Sequence, residues 1–114
     1  MKKIVFILLT LTLMSCKKDA MISYYVKNTS DKAVIFDAIE TGPMDSFRTI
    51  TVEPKDSVEV AQISMKYMTP EKWFNEFNIN RKDSVEVNDT KKPQNWIKGI
   101  DRDGKLIYTF NIVK

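Results

Sequence analysis

Residues 101–113 read Asp-Arg-Asp-Gly-Lys-Leu-Ile-Tyr-Thr-Phe-Asn-Ile-Val, and this stretch sets the fold class. Leu106, Tyr108, Phe110 and Ile112 fall on one face of an extended chain, and Ile107, Thr109, Asn111 and Val113 on the other. A period of two, carried by β-branched and aromatic side chains, is what a half-buried strand requires. Asp101-Arg102-Asp103-Gly104 is the turn before it, and Trp96 and Ile97 open the partner strand.

The same rhythm runs back through the chain. Ile22-Ser23-Tyr24-Tyr25-Val26 leads through the turn-like Asn28-Thr29-Ser30-Asp31-Lys32 to Ala33-Val34-Ile35-Phe36. Thr41-Gly42-Pro43 is a breaker. Phe47, Thr49 and Thr51 then alternate with Arg48, Ile50 and Val52, and after Glu53-Pro54-Lys55-Asp56 the pattern resumes with Val58, Val60 and Ile63. Turn signals every 8–12 residues predict a mainly β chain: a small antiparallel β-sandwich, immunoglobulin-like, or a barrel. One element departs from that rhythm. Thr69-Pro70-Glu71 starts a helix, with threonine as N-cap, proline at the first helical position and an acid in the first turn. Two or three turns through Trp73, Phe74 and Phe77 would pack their aromatic rings on the sheet.

Lys55-Asp56-Ser57-Val58-Glu59-Val60 recurs letter for letter at Lys82 to Val87, and the residues before each copy alternate in the same way. Each copy reads as strand, tight turn and strand, the same hairpin used twice. Two hairpins sharing a turn chemistry account for this, and so does an internal duplication; two copies are too few for a solenoid.

At 114 residues the chain has room for one domain, and 43% apolar with 11% aromatic residues suit a globular one. Histidine is absent, which removes the commonest general base and the commonest metal ligand together. The one cysteine, Cys16, permits neither an intrachain disulfide nor a thiolate metal cluster. There is no Gly-x-Ser-x-Gly and no phosphate-binding glycine loop among three glycines. Asp101 with Asp103, and Glu71 with Glu76, are the conceivable carboxylate pairs, but a domain this size offers little room for a sugar-sized cleft between them. Asp101 to Gly104 lacks the third acid and distal glutamate of a calcium loop. No metal or other cofactor is expected, and Lys91-Lys92 reads as a solvated loop ending at Pro93.

The N-terminus is built differently. Lys2-Lys3 precede an apolar run from Ile4 to Leu13, then Met14-Ser15-Cys16 and the charged Lys17-Lys18-Asp19. A basic start and a ten-residue apolar segment form a secretory signal, too short for the roughly 20 residues that span a bilayer. Neither Ser15 nor Ala20 has the small residue at −3 that ordinary cleavage needs. Leu13-Met14-Ser15-Cys16 instead resembles the lipobox of bacterial lipoproteins, and the Ser-Cys junction with its charged start is similar to small lipoproteins of Bacteroidota. The resemblance implies three parts: residues 1–15 as a lipoprotein signal peptide, 16–21 as an acylated N-terminus and short tether, and 22–114 as one β-rich domain. It also implies a diacylglycerol thioether on Cys16, usually with an N-acyl chain, and Lys17 points to the outer membrane, on its periplasmic or its surface side. Cleavage leaves 99 residues in which 16 basic side chains face 15 acidic ones, so no basic surface for nucleic acid is expected. Asp56-Ser57-Val58 and Asp83-Ser84-Val85 are similar to the O-glycosylation acceptor sequence of Bacteroidota envelope proteins, which marks Ser57 and Ser84.

Tyr67, Trp73 and Trp96, with Phe74, are the candidates for an aromatic binding surface, against use of the same rings in the core. The expected function is that of a lipid-anchored, non-catalytic β-domain for binding or support at the membrane surface, with an envelope protein or a glycan as partner. The alternative is an inhibitor or immunity protein that blocks a toxin or hydrolase in the periplasm.

Overall fold

A computed structural model describes residues 21–41, 45–83 and 85–114. The alternation in the sequence becomes seven strands: β1 (Met21–Lys27), β2 (Val34–Glu40), β3 (Ser46–Val52), β4 (Ser57–Ser64), β5 (Phe77–Arg81), β6 (Trp96–Ile100) and β7 (Leu106–Asn111). Helix α1 (Pro70–Glu76) joins β4 to β5, and a 3-10 turn at Pro93–Asn95 precedes β6. The strands form a four-stranded sheet, β4-β1-β7-β6, and a three-stranded sheet, β3-β2-β5. Ile22, Tyr24 and Val26 from β1 and Phe110 from β7 meet Val34, Phe36 and Ala38 from β2 in one core, none of them more than 3% exposed. Two sheets that bury their apolar faces on each other are a sandwich, and this one carries a single short helix among the described residues.

Helix α1 begins and ends where its sequence dictates. Thr69 Oγ1 accepts from the Lys72 N–H at 3.4 Å, and Pro70 occupies the first turn, where its missing donor costs nothing. Phe77 ends the helix after two turns by taking an extended conformation, and with it β5 begins. Trp73 and Phe74 are each 1% exposed and fill the core beside Tyr24.

Strand order differs from the immunoglobulin arrangement, in which the first, second, fifth and fourth strands share a sheet. Here β1 lies between β4 and β7, and it runs parallel to β7 from Ser23 opposite Ile107 to Lys27 opposite Asn111, so the larger sheet is mixed. The cause is the segment after β1, which crosses to the other sheet and leaves β1 free to accept the last strand. Asn28 holds that crossing. It is fully buried, its Nδ2 donates to the carbonyls of Lys32 (2.7 Å) and Val52 (3.1 Å), and its backbone N–H donates to Asp56 (2.9 Å).

Among the described residues neither copy of the repeated hexapeptide forms a hairpin. Lys55 and Asp56 do lie in a turn, with Lys55 at φ 61° and the Asp56 N–H donating to Glu53, but the turn carries the chain from β3 in one sheet to β4 in the other. The second copy follows β5 with a turn at Lys82-Asp83, after which Val87 makes only an isolated bridge to Val113. Identical residues take different partners because a strand's pairing is set by what lies across from it. In β4 the pairing with β1 slips between Tyr24 and Tyr25, leaving Val60 as an extra residue whose carbonyl accepts from the Arg48 guanidinium on β3.

The sandwich has two unlike ends. The proximal end holds Met21 at the start of β1, the turn after β4, α1, and the β6–β7 turn. The distal end holds the crossing at 28–33 and both lysine-aspartate turns.

Candidate functional site

Trp73 and Trp96 do not form a binding surface with Tyr67. They are 1% and 4% exposed, whereas Tyr67 is 78% exposed in the turn before α1. The two indoles belong to a packed set of rings: Trp73 stacks on Phe77 at 4.6 Å between centroids, Phe74 stacks on Trp96 at 4.8 Å, and Trp96 tilts against Phe110 at 5.1 Å. A sandwich of this size needs its largest side chains inside, and both indole N–H groups have found internal acceptors. Trp73 Nε1 donates to the Glu40 carboxylate at 3.3 Å and Trp96 Nε1 to the Thr90 carbonyl at 2.8 Å. Glu40 is thus a buried acid with a structural partner.

Cys16 and Ser84 lie outside the described residues. Ser57 is exposed at the start of β4, an edge strand, opposite Lys27, with its N–H donating to Asp56 Oδ1 at 2.8 Å. The carboxylates singled out as pairs have local roles or solvent around them. Asp101 Oδ1 accepts from the N–H groups of Asp103 and Lys105, each at 2.9 Å, in the turn where Gly104 takes φ 78°. Glu71 is exposed on α1, five residues before the half-buried Glu76. Lys91 and Lys92 are exposed. Among the described residues no three His, Cys, Asp or Glu side chains converge on a point that would hold a metal ion, and no helix is long and apolar enough to cross a membrane.

The outer face of the smaller sheet is the surface best built to bind. The pairing of β2 with β3 and β5 sets its side chains in three rows: Phe47, Ile39 and Asn78; Thr49, Asp37 and Asn80; Thr51 and Ile35, with Lys82 beside it. Phe47 is 63% exposed and Ile35 46%. Asp37, central in the middle row, is nearly buried by its neighbours. Thr49 Oγ1 donates to it at 2.7 Å and Lys82 Nζ reaches it at 3.0 Å; together these hold its carboxyl below the usual carboxylate range, the hydroxyl contributing most. The face therefore offers two apolar ends around a fixed polar centre. Toward the distal end it runs into a shallow depression of about 310 Å³ lined by Ala33, Ile35, Lys82 and Asp83.

Phe47 and Ile35 were not among the residues the sequence singled out. The signal was present in β3, where Phe47 shares its face with Thr49 and Thr51 and leaves Ile50 and Val52 for the core. An aromatic ring on a threonine face is an apolar group on the solvent side.

No family model, curated protein or solved structure matches the chain.

Proposed function

We propose that the chain is a lipoprotein of the cell envelope, anchored to the outer membrane through a lipid on Cys16, whose sandwich binds a partner without catalysing a reaction. The observation that carries the binding role is the outer face of β3-β2-β5. Phe47 and Ile35 stand exposed on a sheet whose other face is already committed to the core. An apolar pair around an oriented carboxylate suits a protein surface or a glycan of the envelope, where one part stacks or packs and another accepts hydrogen bonds. The anchoring role rests on the Leu13-Met14-Ser15-Cys16 junction. One chain anchors only marginally, while two or three acyl chains hold a protein to a bilayer in a lasting way.

Mild crosslinking in intact cells followed by pull-down tests the whole reading, with Cys16→Ala as the unanchored control and Phe47→Ser with Ile35→Ser as the face control. A specific partner is expected from the native chain and is lost with the face variant. Recovery of the same background proteins from all three chains would contradict the binding role. Capture of one hydrolase or toxin at nanomolar affinity would make the protein its inhibitor.

A further inference from the structure

Four exposed apolar residues lie at the proximal end of the larger sheet. Met21 pairs with Ser64, Met65 follows directly, and Tyr67 sits in the turn closed by its N–H to the Ser64 carbonyl at 3.0 Å. Ile100 ends β6 opposite Leu106, the first residue of β7, which neighbours β1. The ends of β4, β1, β7 and β6 thus form a row roughly 15 Å long at the ordinary strand spacing. Along it Met21 is 36% exposed, Met65 49%, Ile100 71% and Tyr67 78%, and the exposed cations Lys66 and Arg102 flank the row. The proximal end also exposes Glu71, Lys72 and Asp103, while the turns of the distal end present Asp31, Lys32, Glu53, Lys55, Asp56, Lys82 and Asp83.

We infer that this proximal row is a membrane seat, the part of the domain that rests in the headgroup region of a lipid bilayer. The inference rests on acylation of Cys16. Met21 follows Cys16 by five residues, which extended backbone covers in at most about 17 Å. A lipid at Cys16 therefore holds the start of β1 within that distance of the bilayer, and the start of β1 lies in the row. The residue types are those of an interface. Tyr67 has an apolar ring and a polar tip suited to the headgroup level, the methionines and Ile100 suit the acyl boundary, and Lys66 and Arg102 extend toward lipid phosphates. Seating this end fixes the orientation of the sandwich, with the distal turns pointing away from the bilayer and the β3-β2-β5 face open to the side.

Depth-dependent quenching of a fluorophore tests the seat. The full lipidated chain carries one free thiol, at Tyr67→Cys, Ile100→Cys or, at the distal end, Glu53→Cys, because the Cys16 sulfur is consumed in its thioether. Each is labelled with an environment-sensitive dye and reconstituted into vesicles of phosphatidylethanolamine and phosphatidylglycerol, with and without nitroxide-labelled acyl chains. Labels at 67 and 100 are expected to shift to the blue and to be quenched several-fold more than the label at 53. Chains that float with the vesicles but show equal, weak quenching at all three sites would overturn the seat and leave anchoring intact. Labels at 67 and 100 shielded from an aqueous quencher yet untouched by lipid nitroxides would overturn the seat and assign the row to contact between copies of the chain, the one protein in the vesicles. A chain that does not float at all would overturn acylation and the seat together.

Discussion

Trp73 stacks on Tyr24, their ring centroids 4.0 Å apart and their planes 22° from parallel. This contact pins α1 over the first strand of the larger sheet, and Tyr108 and Phe74 close around the same phenol ring. The Tyr24 hydroxyl is buried there without a hydrogen-bond partner among the described residues. Burial, aided by the neighbouring Tyr108 and the Glu71 carboxylate, pushes its ionisation well above the ordinary tyrosine range.

Removing that hydroxyl is expected to help. A buried polar group without a partner costs about 1–3 kcal/mol, so Tyr24→Phe should leave stability unchanged or raise it by up to about 1–2 kcal/mol in urea unfolding. The alkaline limb should move as well. A tyrosine whose folded ionisation is raised contributes stability that is full below about pH 10 and is lost as the pH climbs through the folded value. Tyr24→Phe removes that loss, so its stability should fall less steeply above pH 10 than that of the native chain. A variant markedly less stable at pH 7 would show that the hydroxyl is satisfied.

Asn28 ties the crossing between the sheets to the β3–β4 turn. Asn28→Ala deletes the side-chain donations to the Lys32, Val52 and Glu53 carbonyls, one of them in a buried setting, and takes away the Oδ1 acceptor of the Ser30 N–H at 3.0 Å. The expected loss is about 2–3 kcal/mol. For a domain of this size that lowers the thermal midpoint by on the order of 10 °C. Calorimetry of the two chains measures it directly.

The sequence disclosed local structure and withheld partners. Strand alternation at 22–26, 47–52 and 106–112 was visible because it depends only on neighbours two residues away, and the Thr69-Pro70 start of α1 was visible for the same reason. Pairing across the sandwich was not. Nothing local in Lys55 to Val60 or Lys82 to Val87 says that the first copy feeds an edge strand of the other sheet while the second makes a lone bridge at Val87. Nor does spacing alone say which rings go inside, a choice made when Trp73 and Trp96 found carbonyl and carboxylate acceptors in the core. Within the candidate face, Phe47 was legible as a strand residue and Asp37 was not legible as its polar centre, because its partners Thr49 and Lys82 come from separate elements.

Acid should weaken the smaller sheet through Asp37. A carboxyl whose folded ionisation is lowered contributes stability that is present above its unfolded value, about 3.9, and is lost as the pH falls through the folded one. Asp37→Asn removes this dependence. The native chain should be the more stable of the two at pH 6 and should lose that advantage progressively as the pH falls below about 4. Parallel acid-unfolding profiles would count against the Thr49 and Lys82 contacts.

Function and stability should separate on the outer face. Phe47→Ser with Ile35→Ser alters exposed side chains, so the unfolding free energy should change by no more than about 1 kcal/mol for the pair. Partner capture should nevertheless fall at least tenfold. A large loss of stability in that variant would mean that Phe47 serves the fold rather than a partner.

Mass spectrometry of the N-terminal peptide from native membranes tests the anchoring directly. The expected peptide begins at Cys16 and carries a diacylglyceryl group on sulfur with an acyl chain on nitrogen; the peptide holding Ser57 from the same digest would reveal any attached sugar. A chain that retains Met1 to Ser15, or one that begins at Cys16 with an unmodified thiol, would contradict it.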